Sequence, residues 1–158
     1  MIESMTSRHA KVLQVRMDFR YPKNIQSDGT NTDISTTLQN MSKEYARNNC
    51  DPQYVAKREQ VSSKNPHYHV DYLLNGNRKQ SRNAVIETAE KHWANTLGIS
   101  VEEVHANKLV YPCNTDPEGN YRSNGYMYRR DDIFREETKR DMIKQMAYLT
   151  TVSYTHLT

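Results

Sequence analysis

Residues 12–20 alternate cleanly: Leu13, Val15, Met17 and Phe19 fall on one side of an extended chain, and Gln14, Arg16, Asp18 and Arg20 on the other. A period of two predicts a half-buried strand whose second face is polar. Pro22 ends it, and a polar loop with an Asp28-Gly29 turn signal follows. Over residues 33–48 the period lengthens. Ile34, Leu38, Met41 and Tyr45 form one helical stripe, with Thr32 or Asp33 as N-cap. Residues 53–61 and 67–74 read as two strands, joined as a hairpin through 62–66 without the strongest two-residue turn signature. Asn75-Gly76-Asn77 closes the second of them. Residues 81–97 predict a helix, with Val85, Ile86, Ala89, Trp93 and Leu97 on one side and Gly98 as its stop. A short strand is expected over 108–111, ending at Pro112, and a loop over 114–125. The last helix is expected over 131–149, with Phe134, Met142, Met146 and Leu149 as its stripe and Tyr148 beside it. The order β, α, β-hairpin, α, β, α predicts an α+β fold, an antiparallel sheet with helices packed against it.

Composition narrows the setting. A chain of 158 residues implies one domain. Mean hydropathy is −0.97, enough for one core with a large polar surface left over. The net charge of +3 is only a mild bias toward a polyanionic partner. Eleven tyrosines against two phenylalanines and one tryptophan place rings where one end meets water or a partner. Stacking on unpaired bases is one use of such rings, and amphipathic packing is the commoner one. Cys50 and Cys113 form no metal-like pair, so reduced thiols in a cytosol are expected. Residues 1–11 lack an apolar signal core, and no apolar run is long enough to span a bilayer. A soluble intracellular protein is the expectation.

The candidate chemistry sits at His67-Tyr68-His69. Histidines two apart on a strand project from the same face. Two neutral imidazoles on a rigid sheet are half of a divalent-metal site. Tyr68, Val70, Tyr72 and Leu74 make the apolar face of this strand, which leaves His67, His69 and Asp71 on the other, together with Arg16 and Asp18 of the first strand. If Glu59 pairs opposite either histidine, it joins them. An isolated His-x-His is more often plain surface polarity, and Arg16 and Arg58 are as readily solvated charges. The polar face on the first strand and the neighbouring carboxylate strengthen the metal reading. His67 to Tyr72 also approaches the His-x-His-x-Asp-His pattern of metallo-β-lactamase-like hydrolases, but Tyr72 stands where the final histidine belongs.

Three separated segments carry a resemblance: Val12-Leu13-Gln14-Val15-Arg16-Met17-Asp18-Phe19-Arg20-Tyr21-Pro22, then Tyr54-Val55-Ala56-Lys57-Arg58-Glu59, then His67-Tyr68-His69-Val70 with Leu73-Leu74-Asn75. In this order they resemble the inovirus-type replication initiators, including the YagK/YfjJ C-terminal domain found in prophages. Those belong among the HUH endonucleases (histidine–hydrophobic–histidine). The resemblance runs from about Lys11 to Leu149. It implies a ferredoxin-like, RRM-like sheet with helices on one face and a metal and tyrosine site on the other. It also implies a tyrosine on a late helix, commonly in Tyr-x-x-Lys. Tyr148-Leu149-Thr150 matches the start of that motif, but Thr151 stands in the lysine's place. Lys144, one turn earlier, is the candidate substitute cation. Residues 152–158 resemble a translated sequencing adapter, so the expected division is a replication-initiator domain over 1–150, shortened at its C-terminal end, and a non-native tail over 151–158.

The resemblance therefore implies rolling-circle initiation on single-stranded origin DNA in a bacterial host cytoplasm, with host helicase and polymerase as further partners. Mn²⁺ or Mg²⁺ is expected on His67, His69 and Glu59. Tyr148 is the expected nucleophile, leaving a 5′-phosphotyrosine link and a free 3′-OH. Arg16, Arg58 and Lys144 are the expected phosphate contacts. Asp18 is either a further ligand or a group that orients an arginine. The alternative expectation is a DNA-binding prophage remnant without catalysis.

Overall fold

The computed structural model describes residues 1–60 and 64–150. The alternating segment forms β1 (Lys11–Phe19), the middle strand of a five-stranded sheet. β2 (Gln53–Glu59) and β3 (His67–Asn75) form the expected hairpin. β3 pairs with β1 along its whole length, from Val12 opposite Asn75 to Phe19 opposite Tyr68. Two short strands share the other edge of β1. β4 (Val110–Tyr111) takes its Asp18–Phe19 end, and β5 (Gly125–Arg129) takes Lys11 to Val15. All these pairings are antiparallel.

On one face lie α2 (Thr32–Arg47) and α3 (Arg82–Leu97). They bury Leu13, Val15, Met17 and Phe19 of β1 against Ile34, Leu38, Trp93 and their neighbours. Each large apolar side chain removed from water here stabilises the fold by about 1.5–3 kcal/mol. Trp93 donates its indole N–H to the Arg20 carbonyl at 2.8 Å, and its ring meets Phe19 and Tyr21 edge-on, with centroids 5.5 and 5.2 Å away. The predicted caps are in place at α3. The Ser81 hydroxyl accepts from the Ala84 N–H, and Gly98 adopts the left-handed conformation at φ 69° that stops the helix.

The second face differs from the expectation of helices on one side only. α5 (Arg135–Thr150) and α1 (Ile2–Arg8) cross it. They bury Val12 and Leu73 beneath Ile2, Met5, Met142 and Met146. The cause is visible in the strands: Val12, Val55 and Leu73 interrupt the polar face with an apolar end that has to be covered. At the opposite end of the same face Glu59 and His67 are exposed.

Three elements were not expected. α1 is a short helix without a side-chain cap, recognisable only because Ile2 and Met5 find a partner in α5. α4 (Val101–Ala106) is a short helix capped by Ser100. β5 opens at Gly125, a residue that reads as loop but is required there, since a Cβ would lie 2.7 Å from the Gln14 carbonyl carbon. Phe134 precedes α5 and is exposed, so it is not part of the buried stripe. Residues 61–63, the end of the expected strand and the start of its loop, lie outside the described residues, as does the tail from 151. Among the described residues, no helix is long and apolar enough to cross a membrane.

Candidate active site

Strand pairing assembles the site before any side chain is placed. Glu59 of β2 lies opposite His67 of β3, and Lys57 lies opposite His69. On the other side, Asp18 of β1 pairs with His69, and Arg16 with Asp71. Because directly paired residues share a face, these seven side chains emerge together on the side crossed by α5.

His69 is the hub. Its Nδ1 lies 2.8 Å from Asp18 Oδ1, and its Nε2 lies 2.7 Å from Glu59 Oε2. The contact with Asp18 is the main reason the imidazole's pKa is raised, and it prevails over partial burial, which acts the other way. The reciprocal hydrogen bond from His69 holds the Glu59 carboxyl below the usual carboxylate range. An Asp–imidazole contact on Nδ1 with Nε2 turned toward a second carboxylate is an arrangement used to orient a metal-binding histidine. Asp18 thus contacts the His69 imidazole rather than the arginine expected from the sequence, and His69 Nε2 and Glu59 Oε2 are donors of the type a divalent cation takes. His67 stands on the same face beside them, lining a small cleft of about 240 Å³ with Asp18, Arg20 and Tyr111. Among the described residues, no three His, Cys, Asp or Glu side chains converge as a group able to hold a metal ion. The third expected donor, His67, shares the face by register but does not converge with the other two.

Tyr148 comes from α5 to the same face. It is 62% exposed. Its ring lies over two cations, with the Arg16 guanidinium carbon 5.1 Å and the Lys57 nitrogen 5.9 Å from the centroid. Lys57 is the strand partner of His69, so the phenol and the imidazole–carboxylate pair are neighbours on one surface. The helix is held there by apolar contact through Met142 and Met146 and by a buried polar knot. Gln14 donates its amide to Asp71 at 2.8 Å and to the Met142 carbonyl at 3.0 Å, and Gln145 donates to the other Asp71 oxygen at 3.2 Å. Burial pushes the Asp71 carboxyl up to about 7, against the pull of both amides and of Arg16.

Arg16, Lys144 and Tyr148 line one cleft of about 470 Å³ together with Arg122, Asn124 and Tyr126. The Arg16 Nε is buried without a hydrogen-bond partner among the described residues. Of the expected phosphate contacts, the structure thus brings Arg16 and Lys144 to the tyrosine. Arg58 does not join them. Alternation turns it to the opposite face, where it donates to the Gly29 carbonyl at 3.2 Å and to Asn31 Oδ1 at 2.7 Å. Lys57 was missed, although its parity with Glu59 was the signal that could have found it. Arg122, Asn124 and Tyr126 were missed because they arrive with β5. Thr151, in the place of the motif's lysine, lies outside the described residues.

A family model described as YagK/YfjJ C-terminal domain matches residues 1–157. No curated protein and no solved structure matches the chain.

Proposed function

The chain belongs to the YagK/YfjJ C-terminal domain family, and from that premise we propose that it is a rolling-circle replication initiator of the HUH type, nicking single-stranded origin DNA through Tyr148. The observation that carries this reading is the placement of the phenol over Arg16 and Lys57, on the same sheet face as the His69–Glu59 pair. A nucleophile, cations for a phosphodiester and a donor pair for a divalent metal are what this transfer requires.

In the proposed step the Tyr148 oxygen attacks phosphorus, and the bond from phosphorus to the 3′ oxygen breaks. The phenol proton passes to water at the exposed edge of the ring, and the leaving 3′ oxygen takes one up. The protein keeps a 5′-phosphotyrosine, and the DNA keeps a 3′-OH that a host polymerase can extend. Arg16, Lys57 and Lys144 hold the phosphate and offset its charge as bonds change. Asp18 fixes the His69 ring so that Nε2 faces Glu59. Mn²⁺ or Mg²⁺ would be held by His69 and Glu59 with His67 alongside, and would supply Lewis-acid stabilisation of the phosphate charge. Origin DNA, a host helicase and a bacterial cytoplasm belong to the same proposal.

The test uses labelled single-stranded DNA carrying the origin and added Mn²⁺. Wild type forms a covalent adduct that survives denaturation, and Tyr148→Phe forms none. His67→Ala and Glu59→Gln lose the adduct while keeping salt-sensitive binding. An equal adduct from Tyr148→Phe refutes the nucleophile. Binding without any adduct from wild type replaces the enzyme with a DNA-binding protein that lacks the chemistry.

A further inference from the structure

A wide groove among the described residues lies outside the tyrosine cleft, on the far side of the His69–Glu59 pair. It encloses about 910 Å³ and opens at His67, a residue that also lines the small cleft shared with Asp18. One wall is the chain leaving β1, from Arg20 through Lys23 and Asn24. The other includes Lys64 and Asn65 of the β2–β3 connection. Asn65 fastens the two walls together, accepting from the Ser27 N–H and donating to the Ile25 carbonyl, both at 2.7 Å. Three basic side chains, Arg20, Lys23 and Lys64, face one acid, Glu103. The Arg20 Nε is buried and has no hydrogen-bond partner among the described residues.

We propose that this groove holds the single-stranded DNA on the 3′-OH side of the nicked bond. The inference rests on the phosphotyrosine reading above and extends it. Attacking and leaving oxygens lie roughly in line across a phosphorus undergoing displacement. With Tyr148 attacking from the Arg16 cleft, the leaving strand is directed away from that cleft, across His69 and toward His67. The groove begins there, and its charge suits a phosphodiester backbone. Amide side chains at Asn24 and Gln26 offer donor and acceptor pairs to an unpaired base.

The experiment measures binding of a fluorescent single-stranded DNA of random sequence by anisotropy, with chelator present, so that it does not depend on cleavage. Lys23→Ala with Lys64→Ala removes two exposed charges from the groove. Lys43→Ala with Arg47→Ala removes two from the exposed side of α2 and serves as control. The groove variant loses affinity roughly tenfold at moderate salt, and the slope of log affinity against log salt falls by about 1.4, or about 0.7 per phosphate contact. The control stays within about twofold of wild type. Equal losses in both variants, or none in the groove variant, overturn the site. Where the adduct forms, the 3′-OH fragment dissociates faster from the groove variant, and unchanged retention overturns the orientation. A groove-specific loss in a protein that forms no adduct leaves the DNA site standing, while the orientation falls together with the nicking reading.

Discussion

Gly125→Ala tests the close approach that carries Asn124 and Tyr126 to the tyrosine cleft. A Cβ at this position would lie 2.7 Å from the Gln14 carbonyl carbon and 3.1 Å from the Val15 Cα. The Gln14 carbonyl oxygen stands closer still, well inside van der Waals contact, so β5 must retreat from β1 by more than about 1 Å. The obstacle is backbone of a middle strand, which cannot swing aside as a side chain would. The retreat stretches the bond from the Arg16 N–H to the Asn124 carbonyl, now 2.7 Å, and the pairing of Gly125 with Val15. Two weakened hydrogen bonds cost about 2 kcal/mol, and overpacking adds about 1–3 kcal/mol. A total of about 3–5 kcal/mol lowers Tm by about 6–20 °C in a chain of this size. Thermal unfolding followed by circular dichroism measures it. Gly29→Ala is the comparison, because φ there is 87° and nothing lies within 4 Å of the added Cβ. Its cost is the strain of positive φ alone, about 1–2 kcal/mol. If Gly125→Ala melts with wild type, or above Gly29→Ala, the described contact between β5 and β1 is wrong.

Further outcomes follow from the same geometry. Met142→Ala opens a cavity beneath α5 and costs about 2–4 kcal/mol in urea unfolding. It should also reduce adduct formation, since the helix carrying Tyr148 loses its apolar anchor; undiminished adduct would show that the anchor does not position the phenol. Glu44 is held below the usual carboxylate range mainly by its hydrogen bond with Lys91, 2.7 Å away. A depressed folded-state pKa gives stability above the unfolded value and loses it as pH falls through the folded one. Glu44→Gln therefore lowers stability at neutral pH, by less than about 1 kcal/mol given the exposure of Lys91. The difference closes as pH falls through the depressed folded-state value, and a gap that persists in strong acid would remove the charge from the account. Cys113 is buried and its thiol is pushed up to about 12 by that burial. With Cys50 also buried, both thiols should react with a disulfide reagent only as the protein unfolds; fast labelling of the native protein would contradict this.

Local pattern was enough for much of the architecture. Strict alternation through Leu13, Val15, Met17 and Phe19 assigns both the strand and its faces, because a period of two leaves one choice of which side is buried. The stripe of α2, the Ser81 and Gly98 punctuation of α3 and the hairpin were legible for the same reason: each is decided by neighbours in sequence. Parity alone placed His67, His69 and Asp18 on one side of the sheet, and Glu59 joins them through the pairing that sets it opposite His67. It turned Arg58 to the other side as well, although charge had made it a candidate contact. What alternation cannot supply is register, which decided that Asp18 and not only Glu59 meets His69, and that Lys57 stands opposite it. Tertiary packing decided the rest. α1 exists because α5 covers Ile2 and Met5. β5 exists because a glycine lets two backbones touch. Tyr148 reaches Arg16 because the Gln14–Asp71–Gln145 knot seats its helix. Those contacts join residues far apart in the chain, and their energy appears only after the sheet has closed.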